Sequence, residues 1–113
     1  MSRTLRFSEL SQARQAFVRL CQSINHGQIR EVIIRGGEPV FVPSPTVMVE
    51  LKLSSDESPR PELDLPDFEL PEEVSRLMRR FDRIKDGKIA ELEVRAGVPR
   101  RGLVESLATE LLP

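Results

Sequence analysis

The chain has 113 residues, 39% hydrophobic and 31% charged, with a formal net charge of -1. That length suits one compact domain, or two small units sharing a core. No apolar run approaches the ~18 residues that a membrane-spanning helix needs, and Cys21, the only cysteine, excludes an intramolecular disulfide.

The N-terminal run MSRTLRFSELSQARQAF has no apolar signal-peptide core, so a cytoplasmic location is expected. Leu10, Ala13, Phe17, Leu20, Cys21 and Ile24 then recur at helical spacing, which predicts an amphipathic helix. Ser8 is its expected N-cap and Gly27 its expected left-handed stop. Cys21 lies on the apolar stripe and reads as a buried small hydrophobe rather than a reactive thiol. The β-rich run QIREVIIR follows, and Gly36-Gly37 predicts a reversal into a hairpin whose return strand begins at Pro39. A further strand is expected in TVMVELKL.

Residues 54–73, SSDESPRPELDLPDFELPEE, hold eight acids (Asp56, Glu57, Glu62, Asp64, Asp67, Glu69, Glu72, Glu73) and only Arg60, so they carry -7 against +6 for the remainder. Pro59, Pro61, Pro66 and Pro71 break the run, and residues 54–70 read as an acidic linker. Within it, ELDLPDFEL alternates polar residues with Leu63, Leu65, Phe68 and Leu70, a pattern suited to docking on its own domain or on a partner. A second helix is predicted from Val74, Leu77, Met78, Phe81 and Ile84, with Glu72 and Glu73 at its positive N-terminal end. Gly87 is its expected stop. KIAELEVR, Ala96-Gly97 and a return strand from Pro99 follow, and LVESLATELL reads as a strand running into a short helix.

The second half echoes the first. Shifted by sixty, residues 17–39 match 77–99 without a gap, with identities at Arg19/Arg79, Ile24/Ile84, Gly27/Gly87, Ile29/Ile89, Glu31/Glu91, Arg35/Arg95, Gly37/Gly97 and Pro39/Pro99. An internal duplication is therefore expected. The expected fold is α+β: two helix–hairpin units (1–53 with an extra strand, and 71–113) joined by 54–70, with two helices on a mainly antiparallel sheet. Two copies sharing one core resemble a homodimer fused into one chain. An antiparallel pairing of 28–35 with 88–95 would set Glu31 opposite Arg95, Arg35 opposite Glu91 and Ile33 opposite Glu93, giving the repeated charges a structural role.

INHGQIREVIIRGGEP and IKDGKIAELEVRAGVP share a spacing of isoleucine, glycine, glutamate, aliphatics, glycine and proline that resembles the small YezD-like bacterial proteins. That resemblance implies a single helix followed by a glycine-turn hairpin in each half. It implies no activity.

Residues with chemical potential are few. His26 stands in a turn where its counterpart is Asp86, and both are ordinary turn residues. RGGEP lacks the phosphate-loop spacing and opens no helix. No metal-ligand spacing, catalytic pair or cofactor motif is present, so no enzyme activity, metal or cofactor is expected. The chain has neither Trp nor Tyr, which disfavours base stacking. Arg76, Arg79, Arg80 and Arg83 share the polar side of the second helix, with Lys85, Lys88, Arg95, Arg100 and Arg101 beyond it. The expected function is a non-enzymatic protein-interaction module that binds a protein partner or self-associates. The alternative is a nucleic-acid accessory protein that holds phosphates with the helix face of Arg76, Arg79, Arg80 and Arg83.

Overall fold

The computed structural model describes residues 5–55, 58–106 and 111. Among these residues the chain forms an α+β fold, with two helices over a five-stranded, mainly antiparallel sheet. The first half contributes α1 (Gln12–Ile24), β1 (Gly27–Arg35), β2 (Glu38–Val40) and β3 (Thr46–Val49). The second contributes α2 (Glu72–Ile84), β4 (Gly87–Arg95) and β5 (Val98–Val104). Short 3-10 turns cover Phe7–Glu9 and Pro61–Asp64. The helix expected near the C-terminus falls mostly on residues outside those described.

At an offset of sixty the elements coincide residue for residue: α1 with α2, β1 with β4, and the turn at 36–37 with that at 96–97. The halves differ in the return strand. β5 is a single strand that pairs with β4 from Val98 to Val104, with register shifts between Ile89 and Glu91 and between Glu93 and Val94. In the first half, β2 pairs with residues 33–35 of β1 and β3 with residues 27–30, and the chain leaves the sheet between them.

Several local expectations are corrected. Ser11, not Ser8, caps α1, its side chain accepting from the Arg14 N–H at 3.2 Å. The left-handed helix stops are Asn25 (φ 63°) and Lys85 (φ 57°), not Gly27 and Gly87, which already open the strands. Each stop is a tight γ-turn: His26 N–H donates to Ile24 O at 2.8 Å, and Asp86 N–H to Ile84 O at 2.6 Å. Gly37 (φ 78°) and Gly97 (φ 74°) do hold the left-handed turn positions.

The register of β1 on β4 also departs from expectation. Ile29 faces Leu92, Val32 faces Ile89, Gly27 faces Val94 and Ile34 faces Gly87. Arg30, not Arg35, faces Glu91, and Ile33 faces Lys88. Glu31 has φ 62° within β1, and this irregularity switches the inward side from odd to even residues. Only the observed register brings Ile29, Val32, Leu92 and Ile89, all buried, into two inward pairs. Burying those four outweighs exposed charge pairs worth ~0–1 kcal/mol each. The repeated charges find other partners: Glu31 pairs with Lys88 at 2.8 Å and Arg95 with Glu50 at 2.8 Å. Exchanging the halves maps Gly27–Val94 onto Ile34–Gly87, so the ladder has a local twofold about Arg30/Glu31 and Ala90/Glu91.

Each hairpin turn caps the helix of the other half. Gly37 N–H donates to Lys85 O at 2.9 Å, and Gly97 N–H to Asn25 O at 2.8 Å. Asp86 Oδ1 accepts from Gly36 N–H at 3.1 Å, and His26 Nδ1 from Ala96 N–H at 3.2 Å. His26 and Asp86 thus do the same structural work. Between the helices, Phe17 and Phe81 meet edge to face at 5.5 Å, and one core draws on both halves. Cys21 is buried there, and desolvation pushes its thiol up to about 12.

Part of the acidic segment is built into the fold. Phe68 stacks on Phe7 at 5.0 Å, Leu70 is buried, and Leu70 N–H donates to Leu5 O. Arg19 stacks over Phe7 and donates to the carbonyls of Glu62 and Leu65. Asp67 clasps the N-terminal arm through Arg6 Nε at 2.8 Å and Ser8 N–H at 2.9 Å. The Arg6 guanidinium first, and then the Ser8 N–H, hold the Asp67 carboxyl down at about 2. A depressed carboxyl stabilises the fold above its unfolded value of about 4, and that stabilisation is lost as pH falls toward the folded value. Asp67→Asn should therefore weaken the dependence of stability on pH between about 4 and 2. Denaturant melts across that range check this, and an unchanged acid slope would contradict it.

Candidate functional site: an arginine-rimmed groove between α2 and β5

The α2 sequence EEVSRLMRRFDRI has two faces. Val74, Met78 and Phe81 point into the core, and Arg76, Arg79, Arg80 and Arg83 are exposed opposite them. The structure divides those four. Arg76 and Arg80 line a groove against β5, whereas Arg79 and Arg83 lie outside its lining. The first strand residues of β5 complete it, adding Pro99, Arg100 and Arg101.

The groove has a volume of about 440 Å³. Leu77, Ile89, Leu92 and Pro99 give it an apolar floor, Arg76, Arg80, Arg100 and Arg101 give it a mainly basic rim, and Glu73 adds one carboxylate to the lining. Three of the rim arginines touch acids without being neutralised in a dry site. Arg76 pairs with Glu72 at 2.8 Å, Arg100 with Glu73 at 3.4 Å, and Arg101 with Glu93 at 3.9 Å. These are exposed pairs that a ligand can displace at little cost. Among the described residues no carboxylate lies in ion-pair range of Arg79, Arg80 or Arg83.

The same place in the first half is different. The residues sixty positions before the rim are Ala16, Leu20, Val40 and Phe41, none of them basic. Leu20 and Phe41 pack against the core, and Phe17 stands fully buried where the second half has the smaller, partly exposed Leu77. The groove therefore exists because the second half departs from the first at these positions. By contrast, Gly27, Gly37, Gly87, Gly97, Glu31, Glu91, Arg35 and Arg95 recur in both halves and serve the turns, strands and ion pairs already described.

Among the described residues no cluster of three or more His, Cys, Asp or Glu could hold a metal ion, and no helix is long and apolar enough to cross a membrane. No family model, curated protein or solved structure matches the chain.

Proposed function

We propose that this protein is a non-enzymatic, cytoplasmic interaction module whose α2–β5 groove binds an extended acidic segment of a protein partner. The observation that carries this reading is the pairing of an apolar floor with four rim arginines that the first half lacks. A peptide alternating carboxylates with leucines satisfies both: apolar side chains fill the floor and carboxylates meet guanidinium forks. The chain contains its own precedent for an arginine meeting a carboxylate of such a segment, since Arg6 Nε donates to Asp67 Oδ2 at 2.8 Å.

A nucleic-acid backbone would use the rim but leave the floor unfilled, and the floor offers no aromatic ring for a base. As part of the same proposal, the halves descend from one duplicated helix–hairpin unit of the YezD-like kind, with the second copy specialised for binding.

The test is fluorescence anisotropy with a labelled peptide of the sequence PELDLPDFEL, run beside a labelled single-stranded oligonucleotide of similar length. Peptide binding that weakens with salt is expected, as is its loss when Arg76, Arg80, Arg100 and Arg101 are changed to glutamine. Binding of the oligonucleotide alone would replace this reading with phosphate-backbone recognition. Binding of neither would end both.

A further inference from the structure

A second surface stands apart from the groove. Among the described residues β3 pairs with β1 alone, and its outer edge has no strand partner there. The last residue of β3 and the chain beyond it, Glu50-Leu51-Lys52-Leu53, carry large exposed aliphatics: Val49 is 58% exposed, Leu51 77% and Leu53 84%. Native edges are usually blunted by charge, proline or a bulge, and this one alternates aliphatics with one acid and one base.

We propose that this edge joins a second copy of the chain, with β3 and residues 50–53 pairing antiparallel about a twofold axis at Leu51. Two independent features select that register. The first is backbone direction. Glu50 N–H donates to His26 O at 2.8 Å, so even-numbered residues turn their polar groups toward β1. Along an antiparallel strand this alternates, so Val47 and Val49 turn theirs outward, and Leu51 and Leu53, which lie beyond β3, do the same when the strand is extended through them. Centring on Leu51 pairs outward residues with each other: Leu51 with its own copy and Val49 with Leu53.

The second feature is charge. Centring on Leu51 sets Glu50 opposite Lys52 twice, in the close, non-hydrogen-bonded positions where side chains interact most. Centring on Glu50 or on Lys52 would set like charges face to face. Centring on Val49 would set Glu50 against Met48 and leave the charges unmatched. The aliphatics then form one continuous ladder, Val49–Leu53, Leu51–Leu51 and Leu53–Val49, on a single face. Arg95, 2.8 Å from Glu50, remains beside the new pair and adds to its positive side. The contact is short, so the dimer is expected to be weak and concentration-dependent.

Sedimentation equilibrium from low micromolar to millimolar protein tests this. The mass should rise from 12.8 kDa toward twice that value. Glu50→Lys and Lys52→Glu should each hold the chain at the monomer mass, and the double exchange should restore the dimer. In a Cys21→Ala background, Leu51→Cys should oxidise to a covalent dimer while Val49→Cys, which faces Leu53, should not. Circular dichroism checks that each variant is folded. A monomer at every concentration overturns the proposal. So does a dimer indifferent to the single charge changes, because it would use another surface.

Discussion

Replacing Phe81 with alanine should lower the stability of the chain by about 3–5 kcal/mol. Phe81 is 0% exposed and meets Phe17 edge to face, at the seam where the two halves join. Its counterpart in α1 is the small Cys21, so a large side chain from one half fills the space that the other leaves. Truncation removes that filling and the ring contact together. The loss is a large share of the roughly 5–15 kcal/mol that holds a domain folded. Because the core is common to both halves, Phe81→Ala should shift one cooperative transition rather than create two. Phe17→Ala should behave similarly, and the double variant should fall short of additivity by about 0.5–1.5 kcal/mol, the worth of the aromatic pair. Urea melts followed by circular dichroism check this. A biphasic melt with half the helix retained would mean that the halves fold separately.

Gly27→Ala should be the most damaging of the glycine changes. A Cβ there would stand 2.0 Å from the Met48 carbonyl oxygen, which is backbone and cannot rotate away. β3 must then move off β1, at a cost of about 1–3 kcal/mol or more. Gly37→Ala meets no atom closer than 3.6 Å, and its cost is the left-handed φ of 78°, roughly 1–2 kcal/mol. Thermal melts of the two variants should therefore rank Gly27→Ala below Gly37→Ala. Equal melting temperatures would contradict the close approach at Gly27. Loss of β3 should also abolish self-association, which links this variant to the proposed dimer edge.

The elements themselves were legible because each rests on local pattern. Apolar residues at helical spacing, a glycine turn and an offset of sixty located α1, α2, β1 and β4. Partner choice was not legible. Nothing in GGEP or AGVP says that each turn caps the other half's helix, since that depends on how two similar units cross. The β1–β4 register was hidden by Glu31, whose left-handed backbone reverses the inward side midway. Strict alternation would place Val32 and Ile34 inward and Ile29 outward, whereas all three are buried.

By composition the acidic segment is a linker, with docking on its own domain or on a partner as the two fates of its aliphatics. Phe68 and Leu70 take the first course, because burying an aromatic and a leucine outweighs leaving the chain solvated. At the groove, Arg76 and Arg80 were visible as a helix face. Arg100 and Arg101 could be noted only as basic neighbours, because the hairpin is what returns them to α2. The apolar floor required the tertiary structure.

The most direct test of the binding account is a titration of isotopically labelled protein with the PELDLPDFEL peptide, followed by amide chemical shifts. The shifts should concentrate on Arg76, Leu77, Arg80, Pro99-flanking amides, Arg100 and Arg101, and leave α1 unchanged. Shifts confined to α1 around Arg19, or no shifts at saturating peptide, would contradict it.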